Sequence, residues 1–315
     1  MSSVNSLTSI ATIFFSTDTD THVRVFYQDG NGDIRESFYD HSVGWNTRSN
    51  NLVGTAAQKG TGISAVTWNN GGEIRVYYLD QDNNIVERVL SGETTSWGNG
   101  ALTQKKIQTA PGSRLSAIEW NKETNIRVYY QDTTNKVREL VFISGGGWKD
   151  GSEDLPLAVP GTGLAAALAP NPGTNRNPLR WVYFQAPDLT IQQLWYDGTS
   201  WSQTPLSTLA PFPAGTNLAV VTWEDPAKIQ VAAIDVTHSV TTTSYDPTTG
   251  WAPTLSTGGV GLPSGGLALV NVAGGPEPAD SLRLYYQPAE AAIQELLTYD
   301  GGASWSISAG QIVPK

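Results

Sequence analysis

Four arginines in this chain are each followed, twelve residues later, by a glutamate: Arg24 and Glu36, Arg75 and Glu87, Arg127 and Glu139, Arg283 and Glu295. Three residues past the glutamate an aromatic often stands (Tyr39, Phe142), and a Gly/Ser-Trp step follows at Trp45, Trp97, Trp148, Trp201, Trp251 and Trp305. Together these residue types are what a neutral sugar needs. A guanidinium donates in a fixed fork, a carboxylate accepts from adjacent hydroxyls, and flat rings cover an apolar C–H face or a methyl group. Hydrogen bonds to charged partners contribute about 1.5–3 kcal/mol each. Three of them suffice for submillimolar affinity after the entropy of binding is subtracted. The same spacing also suits a cross-strand salt bridge, which is worth little on an exposed face. Recurrence separates the two readings, because packing alone does not demand the same polar and aromatic set in every copy.

The elements that position these residues form a repeat. Ile74-Arg75-Val76-Tyr77-Tyr78 returns as Ile126-Arg127-Val128-Tyr129-Tyr130 and is echoed at Val23–Tyr27, Arg180–Phe184, Ile229–Ala233 and Leu282–Tyr286. With Arg24, Arg75, Arg127, Arg180, Gln230 and Arg283 as markers, the copies lie about 50 to 53 residues apart and account for the whole chain. Each unit opens on a small, apolar strand such as Gly62–Trp68 or Leu115–Trp120. The Arg-bearing strand follows, then a polar turn (Asp80–Asn83), a third strand (Asn84–Leu90), the Trp corner, and a more polar fourth strand such as Lys105–Thr109. Four antiparallel strands per unit of this length predict an all-β, six-bladed β-propeller, with residues 1–315 as one domain. A blade cannot bury both faces alone, so a closed ring supplies the core.

Composition excludes several function classes. Only 15% of residues are charged, the net charge is −10, and no Lys/Arg-rich run exists, so nucleic acid is not expected as a partner. No apolar run is long enough for membrane insertion. The three histidines (His22, His41, His238) have no metal-ligand spacing, and no cysteine or Asn-x-Ser/Thr sequon is present. The N-terminus lacks the basic region and cleavage site of a signal peptide, so a cytoplasmic or non-classically exported, cell-surface protein is expected. Gly161-Thr162-Gly163 resembles part of a dinucleotide fingerprint, but it aligns with Gly60-Thr61-Gly62 at the entry to a blade. Asp29–Asp33 resembles a calcium loop, but falls where every repeat has its hairpin turn.

The motif I/V-R-V-Y-Y-Q-D, turn, I-R-E, aromatic, G/S-W, repeated in register along the chain, resembles the Aleuria aurantia-type fungal fucose lectins. The resemblance implies a six-bladed propeller that binds fucosylated glycans without metal or other cofactor, and in which homodimers are common. In that family Arg and Glu come from one blade, and an aromatic and the corner Trp from the next. Carried onto this chain, the first pocket holds Arg24, Glu36 and Trp97, with Leu90 where an aromatic is usual. The second holds Arg75, Glu87, Phe142 and Trp148, and the third Arg127, Glu139, Tyr196 and Trp201. The fourth would use Arg180, Gln193, Tyr245 and Trp251, weakened because Gln193 is neutral and thirteen residues from Arg180. The fifth, with Gln230 and Thr242, is expected to be empty. The pocket closing the ring holds Arg283, Glu295, Tyr39 and Trp45. Two rivals predict different residues. A sialidase-like propeller glycosidase needs Asp-box turns and two carboxylates flanking the bond. A protein-interaction propeller needs variable blade tops. A multivalent fucose lectin without catalysis is the expectation.

Overall fold

The computed structural model describes residues 4–312, apart from 6, 47–50, 93–95, 121–124, 152–154, 170–177, 207–211, 225–226, 275–276, 289–291 and 309–311. The described residues form six antiparallel sheets, each built from consecutive strands. The first blade comprises Ile10–Ser16, Thr21–Gln28, Ile34–Asp40 and Gly44–Asn46; the second, Ser64–Trp68, Glu73–Leu79, Ile85–Ser91 and Gly98–Asn99. The third comprises Ser116–Trp120, Asn125–Gln131, Val137–Ile143 and Gly147–Asp150, and the fourth Ala165–Ala169, Leu179–Gln185, Ile191–Tyr196 and Trp201–Pro205. Leu218–Trp223, Lys228–Ile234, Ser239–Asp246 and Gly250–Trp251 make the fifth; Leu267–Asn271, Leu282–Tyr286, Gln294–Thr298 and Ser306–Ile307 make the sixth. Short extra strands, Leu52–Gly54 and Leu255–Val260, pair with the third strands of the first and fifth blades.

One expectation about the fourth strand is corrected. In the second blade that strand is Gly98–Asn99, at the Trp corner, and a 3₁₀ turn over Ala101–Lys105 follows it. Lys105–Thr109 is not a strand. Glu87 takes the backbone N–H of Leu102 on its carboxylate, which ties the chain into a turn where a longer strand was expected.

Alternation along each strand builds the ring. Ile126, Val128 and Tyr130 face back and pack with Val66, Tyr77 and Leu79 of the second blade. Tyr129 faces forward and packs with Val182 and Phe184 of the fourth. All six hydrophobic clusters join two neighbouring blades in this way, and one joins the last blade to the first through Ala268, Tyr285, Ile10 and Val25. Each fully buried side chain of this kind contributes about 1.5–3 kcal/mol. The small residues of the innermost strands, such as Ser64, Ser116 and Ala166, line the central channel. Crowding there is severe: a β-carbon on Gly163 would lie 2.4 Å from the Thr216 carbonyl oxygen.

Buried glutamines clasp consecutive blades. Gln131 Nε2 donates to the Val159 carbonyl at 3.0 Å, and its Oε1 accepts from Gly161 N at 2.9 Å. Gln185 repeats the pattern with Pro213 and Gly215, Gln28 with Gln58 and Gly60, and Gln287 donates to Asn5 to close the ring. The Gly161-Thr162-Gly163 segment is therefore part of a blade clasp. Asp29 likewise serves its own hairpin, accepting from Asn31 N, Asp33 N and Arg35 Nε.

Candidate functional site

Strand register decides which side chains share a face. In the second and third strands of each blade, Phe26 lies opposite Glu36, Tyr77 opposite Glu87, Tyr129 opposite Glu139, Tyr183 opposite Gln193 and Tyr285 opposite Glu295. An arginine two residues before the Tyr (or Phe) has the same facing, so Arg, Tyr and Glu converge on one inter-blade cleft. The corner Trp of the next blade meets that Tyr edge-on, with ring centroids 6.0 Å apart for Trp45 and Tyr285, 6.1 Å for Trp148 and Tyr77, and 6.3 Å for Trp201 and Tyr129. Trp97 meets Phe26 at 6.2 Å. Beside three of these corner Trp residues, the ring three past the Glu or Gln of the same blade is tilted against it: Tyr39–Trp45, Phe142–Trp148 and Tyr196–Trp201 at 5.3–5.4 Å.

In the cleft between the sixth and first blades, Arg283 Nη1 lies 3.3 Å from Glu295 Oε1, and Tyr285 donates to the same oxygen at 2.7 Å. The guanidinium carbon stands 4.4 Å from the Tyr39 ring centroid, across the blade boundary. Between the third and fourth blades, Arg127 Nε is 3.6 Å from Glu139 Oε1, and Tyr129 donates to Glu139 at 2.9 Å. In the second cleft Tyr77 donates to Glu87 at 3.1 Å, while Arg75 and Trp148 also act on that carboxylate. The first cleft keeps Arg24 and Glu36 at 3.6 Å, but Phe26 brings no hydroxyl and Leu90 no ring. The structure thus brings together the sequence-predicted residues of these four clefts.

The fourth cleft is different from the one expected. Tyr183 lies opposite Gln193, so the position matching Arg127 is Trp181, and Arg180 matches Ile126. A one-residue slip turns a strand side chain to the other face. Arg180 accordingly points back toward the third blade, with its guanidinium carbon 4.0 Å from the ring of Tyr196, 5.5 Å from Trp201 and 5.6 Å from Trp120. Trp181 packs in its place with Tyr245 and Trp251. Gln193 accepts the Tyr183 hydroxyl, at 3.0 Å. The thirteen-residue spacing is this slip, and the fourth cleft contains no marker arginine. In the fifth cleft Gln230 and Thr242 are buried, Thr298 stands where an aromatic is usual, and Gly302 closes over Gln230.

Several contributors were not visible in the sequence motif. Arginines rest on an aromatic of the innermost strand: Arg75 on Trp68 at 4.6 Å, Arg127 on Trp120 at 4.7 Å, and Arg24 near Phe15 at 5.1 Å. Three arginines also pair with a second carboxylate, Arg24 with Asp40 at 3.0 Å, Arg75 with Glu73 at 3.1 Å and Arg283 with Glu277 at 3.5 Å. The buried Tyr hydroxyls had a signal, the constant ten-residue step from Tyr to Glu or Gln.

Electrostatics follows from these partners. Burial pushes the Tyr129, Tyr183 and Tyr285 hydroxyls far above their usual range, so they remain neutral donors. Glu87 is raised by burial, against the opposing pull of Leu102 N–H, the Tyr77 hydroxyl and Arg75. Burial works against the charge of Arg283, yet Tyr285 and Glu295 outweigh it and raise the pKa. Arg127 is lowered, first by burial and further by Arg180, with Glu139 opposing. Its Nε and the Nε1 of Trp45 are buried donors with no hydrogen-bond partner among the described residues.

The family model described as fungal fucose-specific lectin matches residues 4–175 and 171–311. A fucose-specific lectin from Aleuria aurantia is 32% identical over 229 residues, covering 70% of each chain. One from Aspergillus oryzae is 34% identical over 183 residues, 57% of each chain, so the alignment spans little more than half of that relative. Among solved structures, a variant of the Aleuria aurantia lectin in complex with α-methyl-L-fucoside superposes with a TM-score of 0.83 at 26% identity, covering 100% of this chain and 99% of the other. A structure of the same lectin described as a six-bladed β-propeller gives 0.83 at 25% identity with the same coverage.

Proposed function

This chain belongs to the fungal fucose-specific lectin family, and from that premise we propose that it binds L-fucose-containing glycans in the clefts between adjacent blades and catalyses no reaction. The observation that carries the proposal is the repeated arrangement of Arg, Glu and Tyr on one blade facing a tilted ring and corner Trp on the next, in the second, third and closing clefts. Arg and the carboxylate take the sugar hydroxyls. The tilted ring and Trp cover its C–H face and methyl group. The relative solved with α-methyl-L-fucoside supports the choice of sugar.

Residues 1–315 act in this reading as one propeller domain with unequal pockets. Arg75/Glu87/Phe142/Trp148, Arg127/Glu139/Tyr196/Trp201 and Arg283/Glu295/Tyr39/Trp45 are the strong ones. Arg24/Glu36/Trp97 is weaker because Leu90 supplies no ring. The fourth and fifth bind no fucose. Several pockets on one rigid ring raise the effective concentration for a second glycan arm, so attachment to a fucosylated surface is multivalent. A glycosidase is disfavoured by the chemistry: where a cleft has two carboxylates, as with Glu277 and Glu295, both pair with the same guanidinium. Calorimetric titration with L-fucose tests the proposal. Heat of binding in the submillimolar range is expected, and absence of any fucose-dependent heat would overturn it.

A further inference from the structure

The clefts are not alike in charge. In the first, Arg24 faces Glu36 and Asp40, and His22 also contacts Asp40 at 2.6 Å. The second sets Arg75 against Glu73 and Glu87, and the closing cleft sets Arg283 against Glu277 and Glu295. Among the described residues, each of these three has two carboxylates to one guanidinium. The third reverses the balance. The register position of Glu73 is taken by the neutral Asn125, and that of Ile74 and Ile126 is taken in the fourth blade by Arg180. Among the described residues, the cleft that holds Arg127 and Arg180 therefore has one carboxylate in an ion pair, Glu139, and it pairs with Arg127.

Arg180 is 5% exposed, stacks on Tyr196, and has no carboxylate within ion-pair distance among the described residues. Its Nε is buried without a hydrogen-bond partner. Tyr196 and Trp201, the rings it approaches, are those that face Arg127 and Tyr129, so Arg180 enters the same cleft from the opposite wall. The nearby Asp197 is committed to its own turn, accepting from Thr199 N and Ser200 N. A buried guanidinium with only an aromatic partner is costly, and an anion supplied by a ligand offsets that cost.

We propose that the cleft between the third and fourth blades is specialised for fucosylated glycans that carry an anionic group, a sulfate ester or a sugar carboxylate, with Arg180 as the docking cation. The inference rests on the fucose reading of that same cleft. The three clefts with two carboxylates disfavour such ligands, so selectivity comes from both attraction and repulsion.

Calorimetry on the full chain tests this with methyl α-L-fucoside, a neutral fucosylated trisaccharide, its sulfated form and its sialylated form. The intact chain should bind an acidic trisaccharide about tenfold more tightly than the neutral one at about one site per chain, the size of one charge-assisted contact. That gain should vanish in Arg180→Ile and in Asn125→Glu, and in about 1 M salt, where the screening length falls to about 3 Å. A gain for only the sulfated or only the sialylated form identifies which anion is used and supports the proposal. Equal affinity for acidic and neutral glycans, or a gain that survives both substitutions, overturns it while leaving the fucose reading standing. Absence of methyl α-L-fucoside binding by the intact chain overturns both. Should Arg180→Ile fail to fold, Asn125→Glu carries the test, since it places at the start of the second strand the carboxylate that Glu73 supplies at the same register position of the second blade.

Discussion

Replacing Arg127 with alanine separates a binding arginine from a structural one. Its Nη1 is committed to the carbonyls of Ile126 at 3.0 Å and Phe142 at 3.3 Å, whereas its Nε makes no hydrogen bond among the described residues and stands in an ion pair 3.6 Å from Glu139. A sugar hydroxyl pair meeting the uncommitted edge forms two charge-assisted hydrogen bonds, each worth about 1.5–3 kcal/mol. Losing both costs about 3 kcal/mol or more, which is roughly a 150-fold loss of affinity in that cleft. A submillimolar site would then fall outside the calorimetric range, and the fitted number of fucose sites per chain should drop by one. Stability should fall less than the 3–5 kcal/mol typical of a broken buried pair, because Glu139 keeps the Tyr129 hydroxyl at 2.9 Å and lies in a cleft that also holds Arg180. Circular dichroism and a denaturant titration check the fold. An unchanged site number would remove Arg127 from the binding account. A chain that no longer folds would show the arginine to be a structural ion-pair partner.

Three further substitutions probe the frame and its charges. Gln131→Leu should cost about 1–3 kcal/mol in denaturant unfolding, since it orphans Gly161 N and leaves the Val159 carbonyl with Thr162 N as its donor; a change within experimental error would show that the clasp contributes nothing. Burial raises Glu87 above its ordinary value of 4.5, so the folded chain holds that proton more tightly than the unfolded chain. Its contribution to stability is full at low pH and is lost as pH rises through the folded pKa. Glu87→Gln, which mimics the protonated form, should flatten the melting-temperature profile over that window, and parallel profiles would refute the assignment. Tyr285→Phe removes the 2.7 Å bond that orients Glu295 and should weaken fucose binding in the closing cleft by about tenfold. An unaltered affinity profile would show that Arg283 alone orients the carboxylate.

The blade count and the Arg–Glu pairs were legible because each hairpin keeps the same register, so the twelve-residue step survives in the sequence. The fourth blade defeated that ruler. Its arginine is displaced by one position, and only the Tyr183-Phe184-Gln185 ending and the ten-residue step from Tyr183 to Gln193 show that Trp181 is the true counterpart of Arg127. A one-residue shift is small along the chain and complete in space, since it sends Arg180 into the neighbouring cleft. Trp68 and Trp120 beneath the arginines were hidden for another reason. They belong to the innermost strand, and their role depends on cross-strand stacking that no local spacing reports. The second carboxylates share no position in the repeat: Glu73 opens the second strand of its blade, Asp40 closes the third strand of its own, and Glu277 lies in a loop, so no single spacing reports them.

Crystals of the chain grown with methyl α-L-fucoside test the central claim most directly, because occupancy is read cleft by cleft. The account predicts fucoside density beside Arg75, Arg127 and Arg283, weaker density beside Arg24, and none beside Trp181 or Gln230. Fucoside bound against Trp181, or absent from the clefts of Arg75, Arg127 and Arg283, would contradict it.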